Sequence, residues 1–330
     1  MREFNYQRAQ DVAGALALLD DEPEARFLGG GTNLVDLMKL GVERPARLLD
    51  VRGLPFNRIE VTEDGRLRIG ATVTNSDLAV HPEVRRCYPA LPQTVLAGVS
   101  GQLRNMATVG GNLLQRTRCG YFADVTKPCN KRVPGSGCPA VEGEHRNHAI
   151  LGASEHCVAT HPSDMGVALT AFDAVVSYET AGGPGELPLA DFYMPVGDSP
   201  HRETALPPGA LITGVTLPPT PVAARSRYRK VRERASYAFA IGSVAAALDV
   251  RDGVVGDVRL AFGAVASRPW RAREAERVLT GAPADLESFA AAAVAELAAA
   301  RPLPHNAYKV PLMRDLVVAV LTELTEESDR

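Results

Sequence analysis

Four of the chain's five cysteines, Cys119, Cys129, Cys138 and Cys157, fall between positions 119 and 157 of 330. The stretch 116–143 is polar and rich in Gly, Pro, Lys and Arg. Without apolar periodicity it cannot order itself by burying one face. A bound metal centre is the obvious agent to fold it. The spacing, C-x9-C-x8-C-x18-C, is neither a zinc-finger pair nor a ferredoxin run. Spacing alone leaves a four-cysteine zinc and an iron–sulfur cluster equally open. Arg116, Arg118, Lys127, Lys131 and Arg132 flank the cysteines and would favour thiolates. In a reducing compartment such a group reads as metal-binding, not disulfide-bonded. Cys87 sits apart and reads as a half-buried bystander.

On either side of this stretch lie glycine loops. Asp11 caps a helix from Val12, Arg26-Phe27-Leu28 is a short strand, and Gly29-Gly30-Gly31-Thr32-Asn33 leads into the helical Leu34 to Leu40. A strand, a glycine loop and a helix start expose several N–H groups at one place, an anion site for phosphate or pyrophosphate. A tight turn is the competing reading. A hairpin is expected over 59–61 and 67–71, with Asn75 or Ser76 capping the helix after it. Leu91, Val95, Leu96 and Val99 form a helical stripe before the second loop, Ala107-Thr108-Val109-Gly110-Gly111-Asn112. Two such loops make a dinucleotide pyrophosphate a better reading than either does singly.

After Cys157, Ser163 or Asp164 can cap a helix from Met165 to Phe172. His161 reads as a loop residue, and His145 and His148 as surface residues or outer-shell donors. Pro218-Pro219-Thr220-Pro221 is the clearest linker. Beyond it, alternation puts Arg225, Arg227 and Arg229 on one strand face and Ser226, Tyr228 and Lys230 on the other. Strands are expected over 238–250, 254–257 and 259–266, then helices over 285–300 and 311–325, an α+β layer.

A net charge of -3 argues against a nucleic-acid partner. No apolar run reaches membrane-spanning length, and the start lacks a signal peptide's apolar core. Synthesis in the cytoplasm is expected. The chain would remain there, or reach the periplasm attached to a signal-bearing partner.

The motifs Gly29 to Leu34, Ala107 to Leu113, Ser163-Asp164 and Tyr228-Arg229-Lys230 leading to Ser236-Tyr237-Ala238-Phe239-Ala240 resemble the FAD-binding medium subunit of molybdenum hydroxylases, the xanthine dehydrogenase and aldehyde oxidoreductase group. The likeness covers essentially the whole length. The run from Gln115 through Cys119, Cys129 and Cys138 is similar to the iron–sulfur flavoprotein subunit of bacterial periplasmic aldehyde oxidoreductases.

The resemblance implies an α+β chain. A two-lobed p-cresol-methylhydroxylase-type FAD fold would occupy 1–220, with lobes of about 1–55 and 56–220 and a cluster-binding insertion over 116–158. A carbon-monoxide-dehydrogenase-flavoprotein-like C-terminal domain would occupy 221–330. It implies that Phe27, Leu28, Gly29, Gly30, Gly31, Thr32, Asn33 and Leu34, with Thr108, Gly111 and Asn112, hold the FAD pyrophosphate. Ser163 and Asp164 would meet the flavin's hydroxyls, and Ile212, Leu217 and Lys230 would lie near the isoalloxazine. Cys119, Cys129, Cys138 and Cys157 would ligate a [4Fe–4S] cluster.

The implied role is electron transfer. A molybdenum-cofactor large subunit and a [2Fe–2S] small subunit, forming a heterotrimer with this chain, would pass electrons through FAD to an external acceptor. No catalytic acid–base constellation is expected here. The alternatives are the FAD subunit of a xanthine dehydrogenase-like or other molybdenum hydroxylase, a stand-alone FAD oxidoreductase with a structural four-cysteine site, and a zinc-stabilised binding module without redox activity.

Overall fold

The computed structural model describes residues 1–328; the last two positions of the expected C-terminal domain lie outside the described residues. A first lobe contains β1 (Asn5–Arg8), α1 (Val12–Asp21), β2 (Ala25–Leu28), α2 (Leu34–Lys39) and β3 (Arg47–Asp50). β3 lies between β1 and β2, parallel to both. Parallel neighbours need crossovers, and the stretches carrying α1 and α2 supply them. Asp11 caps α1, its Oδ1 accepting from the Gly14 N–H at 2.7 Å.

The second lobe runs from β4 (Ile59–Val61) and β5 (Leu67–Gly70) through α3 (Asn75–Val80), α4 (Pro82–Cys87), α5 (Ala90–Ala97), α6 (Gly101–Arg104), α7 (Val109–Leu113) and α8 (Gly120–Ala123). It continues with α9 (Asp164–Ala171), β6 (Val175–Thr180), β7 (Gly183–Pro188), α10 (Leu189–Phe192) and β8 (Leu211–Leu217). Its antiparallel sheet has the order β4-β5-β8-β6-β7.

The third unit has β9 (Ser226–Val231), β10 (Gly242–Arg251), β11 (Val254–Gly263), β12 (Trp270–Arg271), α11 (Arg273–Leu279), α12 (Leu286–Leu297) and α13 (Lys309–Ser328). Its antiparallel sheet, β12-β11-β10-β9, leaves the arginine-rich β9 at an edge. Arg227 and Arg229 turn outward to Glu323 of α13. Charge on an exposed edge also discourages strand addition.

Helix α9 sits between the second lobe and this last sheet. Every residue from Met165 to Ala171 is buried. Such close approach needs small neighbours. β10 offers Ala245 and Ala247, and a Cβ on Gly263 of β11 would come 2.5 Å from Val167 Cγ2. The packing carries Asp164, the first residue of α9, to a fixed place beside β9. Each large apolar side chain buried around it, such as Leu91 or Phe172, contributes about 1.5–3 kcal/mol.

Several local expectations need correction. Thr74, not Asn75 or Ser76, caps α3, because its hydroxyl accepts from the Asp77 N–H. Leu96 is outward-facing, and the buried face of α5 is Ala90, Leu91, Thr94 and Val95. β10 begins only at Gly242, and the two strands expected over 254–266 are one, Val254–Gly263. Helix α11 had no sequence expectation. Among the described residues, no helix is long and apolar enough to cross a membrane.

Candidate functional site

The two glycine loops meet face to face. A Cβ on Gly30 would sit 1.7 Å from the Met106 carbonyl oxygen, and one on Gly29 would sit 2.7 Å from Thr108 Oγ1. Only glycine allows the backbones this close. Gly31 has φ +74, in the left-handed region. Among the described residues, the N–H groups of Gly29 to Asn33 donate to no other group of the protein. The buried Asn33 Nδ2 also lacks a partner. Free donors converging on a glycine cradle fit an anionic diphosphate.

From the second loop a line of contacts leads to α9. Thr108 caps α7 by accepting from the Gly111 N–H at 3.3 Å. Asn112 Oδ1 accepts from the Ser163 hydroxyl at 2.7 Å, and Ser163 caps α9 through the Gly166 N–H at 2.9 Å. Asp164 then accepts from Tyr228 Oη at 2.6 Å and from Lys230 Nζ at 2.7 Å. Burial, with the Asp164 carboxylate beside it, raises the Tyr228 phenol well above its ordinary pKa. The expected residues on the loops, α9 and β9 are thus brought into one line. Ile212 and Leu217 are placed differently. Both residues are enclosed in the core, Ile212 at 5% and Leu217 at 0% exposure.

The cysteine segment is almost without regular structure apart from α8. Side chains fasten its carbonyls instead. Asn130 bridges the Gly137 N–H and the His156 carbonyl at 2.7 and 2.9 Å. Arg132 donates to the carbonyls of Tyr121, Asp124 and Lys127. Cys119, Cys129, Cys138 and Cys157 all line one small cavity. The Cys157 thiol donates to Cys138, which holds Cys138 down to about 6 and pushes Cys157 up. Burial pushes Cys119 up. Among the described residues, no three Cys, His, Asp or Glu side chains are grouped as a single metal ion needs. Cys87 is half-buried and apart, on α4.

The flanking cations are mostly engaged elsewhere, contrary to the expectation that all would serve the thiols. Arg116 pairs with Glu43 at 2.6 Å and Glu203 at 3.2 Å. Arg118 lies over Phe239 and 3.8 Å from Asp36. Lys131 alone both pairs with Glu203, at 3.0 Å, and lowers the Cys157 thiol. Though burial pushes Glu203 up, Lys131 and Arg116 hold it below the usual carboxylate range.

The histidines also differ from a surface placement. His145 and His148 are buried, and His148 Nε2 lies 3.2 Å from Cys119 Sγ. Burial pushes His148 down to about 4. His161 packs edge-on to Tyr193, its Nδ1 accepting from the Ser163 N–H at 3.3 Å, and burial pushes it down to about 3. Glu203 carried no sequence signal, whereas alternation along β9 places Tyr228 on the face of Lys230.

Residues 2–220 match the FAD binding domain in molybdopterin dehydrogenase, and residues 226–324 the CO dehydrogenase flavoprotein C-terminal domain. The chain is 51% identical to the aldehyde oxidoreductase FAD-binding subunit PaoB of Escherichia coli (strain K12), covering 98% of each. It is 27% identical to the glyceraldehyde dehydrogenase medium chain of Sulfolobus acidocaldarius, covering 84% of this chain and 82% of that one. Among solved structures, quinoline 2-oxidoreductase from Pseudomonas putida 86 superposes with TM-score 0.77 at 22% identity, covering 99% of this chain and 98% of that one. The Cu,Mo-CO dehydrogenase gives 0.75 at 23%, covering 97% and 96%.

Proposed function

The chain belongs to the FAD-binding medium subunits of molybdenum hydroxylases, and from that premise we propose that it is the electron-transfer subunit of a molybdenum-dependent aldehyde oxidoreductase. Substrate oxidation takes place on a molybdenum-cofactor subunit, and a [2Fe–2S] subunit delivers electrons to this chain. FAD, when bound, supplies the redox chemistry and hands electrons to an external acceptor; the protein supplies position and charge. Co-export with a signal-bearing partner would put the complex in the periplasm.

The residues have distinct tasks in this reading. The free N–H groups of Gly29 to Asn33 and the turn at Thr108, Gly111 and Asn112 hold the pyrophosphate. Asp164 and Lys230, whose side chains are 13% and 4% exposed, form a fixed ion pair toward the flavin. The cysteines hold a [4Fe–4S] cluster. Four thiols lining one cavity supply the donor set such a cluster would use.

One observation carries the proposal: the cavity lined by four cysteines is tied at both ends of its segment to the FAD loops. The Arg116 N–H donates to Asn33 Oδ1 at 2.9 Å, and Ser163 donates to Asn112. Anaerobic purification from the native operon tests it. The expected protein carries FAD, about four irons and matching sulfide per chain, and copurifies with molybdenum and [2Fe–2S] subunits. Zinc without iron or sulfide would overturn the cluster, and isolation as an active single chain would overturn the subunit role.

A further inference from the structure

We propose that His148 is a positioning residue for the cysteine-bound centre: its Nε2–H donates to the Cys119 thiolate and raises the centre's reduction potential. The inference rests on the [4Fe–4S] reading and concerns a residue outside the four ligands.

The first support is the distance, 3.2 Å from Nε2 to Cys119 Sγ, within reach of an N–H···S bond. The second is the proton's location. A neutral imidazole carries one N–H. On Nδ1 that proton would be buried with no partner, because Nδ1 meets no other polar group. On Nε2 it finds the sulfur. A buried orphan N–H costs more than an orphan lone pair, so the proton belongs on Nε2. A metal-bound thiolate has no proton to give, which fixes the direction of donation.

The third support is how the ring is held. Three consecutive carbonyls around His148 are gripped by the last domain. Lys309 Nζ donates to the Asn147 carbonyl at 3.0 Å, and Asn306 Nδ2 to those of His148 and Ala149 at 3.2 Å each. Asn306 and Lys309 are fully buried. Lys309 also donates to the Ala264 carbonyl at 2.8 Å, behind β11. His145 accepts from the His305 N–H at 3.1 Å and stacks on that ring. The C-terminal domain therefore holds in place the backbone that carries the ring to Cys119. Cys119 and His148 also line a second cavity of about 560 Å³, together with Phe239. Donors to cysteine sulfur stabilise the more negative reduced state and raise the potential.

The test uses the anaerobically purified complex. Iron and sulfide analysis of the wild type comes first, since their absence overturns the cluster reading itself. With the cluster present, H148F keeps the ring volume and loses the donor, while H148Q keeps an N–H at the Nε2 position. In an EPR-monitored titration, H148F should be harder to reduce by about tenfold in the oxidised-to-reduced ratio, or ~59 mV for one electron. H148Q should recover most of that shift. An iron-replete H148F with the wild-type potential would overturn the proposal. Should H148F fail to load iron, the wild type labelled with 15N-histidine decides. A histidine nitrogen coupled to the reduced cluster, and lost in H148Q, supports the donor. No histidine coupling overturns it.

Discussion

Between Gly29 and Asn33 the chain is shaped by its backbone; between Cys119 and Cys157 it is shaped by side chains gripping carbonyls. The glycine cradle is preformed by two backbones that touch where any Cβ would collide. It needs no ligand to exist. The cysteine segment has one four-residue helix, and it closes around a cavity lined by the four thiols. In the proposed reading its fold would be completed by the centre the thiols would bind. The two regions share a border at Arg116 and Asn33, and again at Ser163 and Asn112. Whether they behave as one unit or two is therefore measurable.

The largest effect is expected from Cys157→Ser. Cys157 is the most buried of the four cysteines, at 5% exposure. Iron should be lost, and protease should cut within 116–143 while the rest resists. FAD retention should fall with it through the shared border. A variant without iron, resistant to protease and with normal FAD, would show that the segment folds on hydrogen bonds alone. Gly30→Ala probes the opposite region. Forcing Gly30 off the Met106 carbonyl costs about 1–3 kcal/mol, or ~5- to 150-fold in FAD affinity if all of it falls on the bound state. Iron should be retained. Normal FAD binding in Gly30→Ala would remove the claim that the cradle is built by close approach. Arg116→Met should cost ~2 kcal/mol in a urea melt, because it strands Glu43 and leaves Glu203 with Lys131 alone of its two cations. The value lies at the low end for such pairs because these side chains are about a fifth exposed. R116M/E203Q should recover part of it.

The same contrast explains which features could be read from the residues. Glycine loops, cap residues and strand alternation are local rules, so the cradle, the Ser163 cap and the faces of β9 were all legible. The cysteines stood out by composition. The grip of Asn130, Arg132 and Asn306 on distant carbonyls was not legible, because no periodicity marks a side chain that bonds a loop 26 or 158 positions away. For His145 and His148 the residues left two readings open, surface residues or outer-shell donors, because polar neighbours in sequence hid an environment built by the last domain. Leu96 was misassigned because a helix that pauses at Gly98 has too few turns for its stripe to be unambiguous.

The smallest predicted effect tests the border itself. His161 follows the cysteine segment, and its Nδ1 accepts from the N–H of Ser163, the residue that caps α9 and bonds Asn112. Burial pushes its folded pKa down to about 3, against ~6.5 unfolded. A depressed histidine binds its proton better in the unfolded chain. Its contribution is therefore complete above about pH 6.5 and is lost as pH falls toward 3. The slope approaches ~1.4 kcal/mol per unit once the unfolded chain holds that proton fully, and is about half of that at pH 6.5. Between pH 6.5 and 5.5, His161→Phe should therefore lose ~1 kcal/mol less stability than the wild type in urea melts. Protonation must also break the Ser163 N–H bond, so the α9 cap and the Asn112 contact should loosen in the same interval. If flavin release and protease sensitivity of 116–143 rise together as the wild type is acidified, the cradle and the cysteine segment form one cooperative unit joined at His161. If the segment opens while the flavin stays, the border transmits nothing, and each region owes its order only to its own ligand.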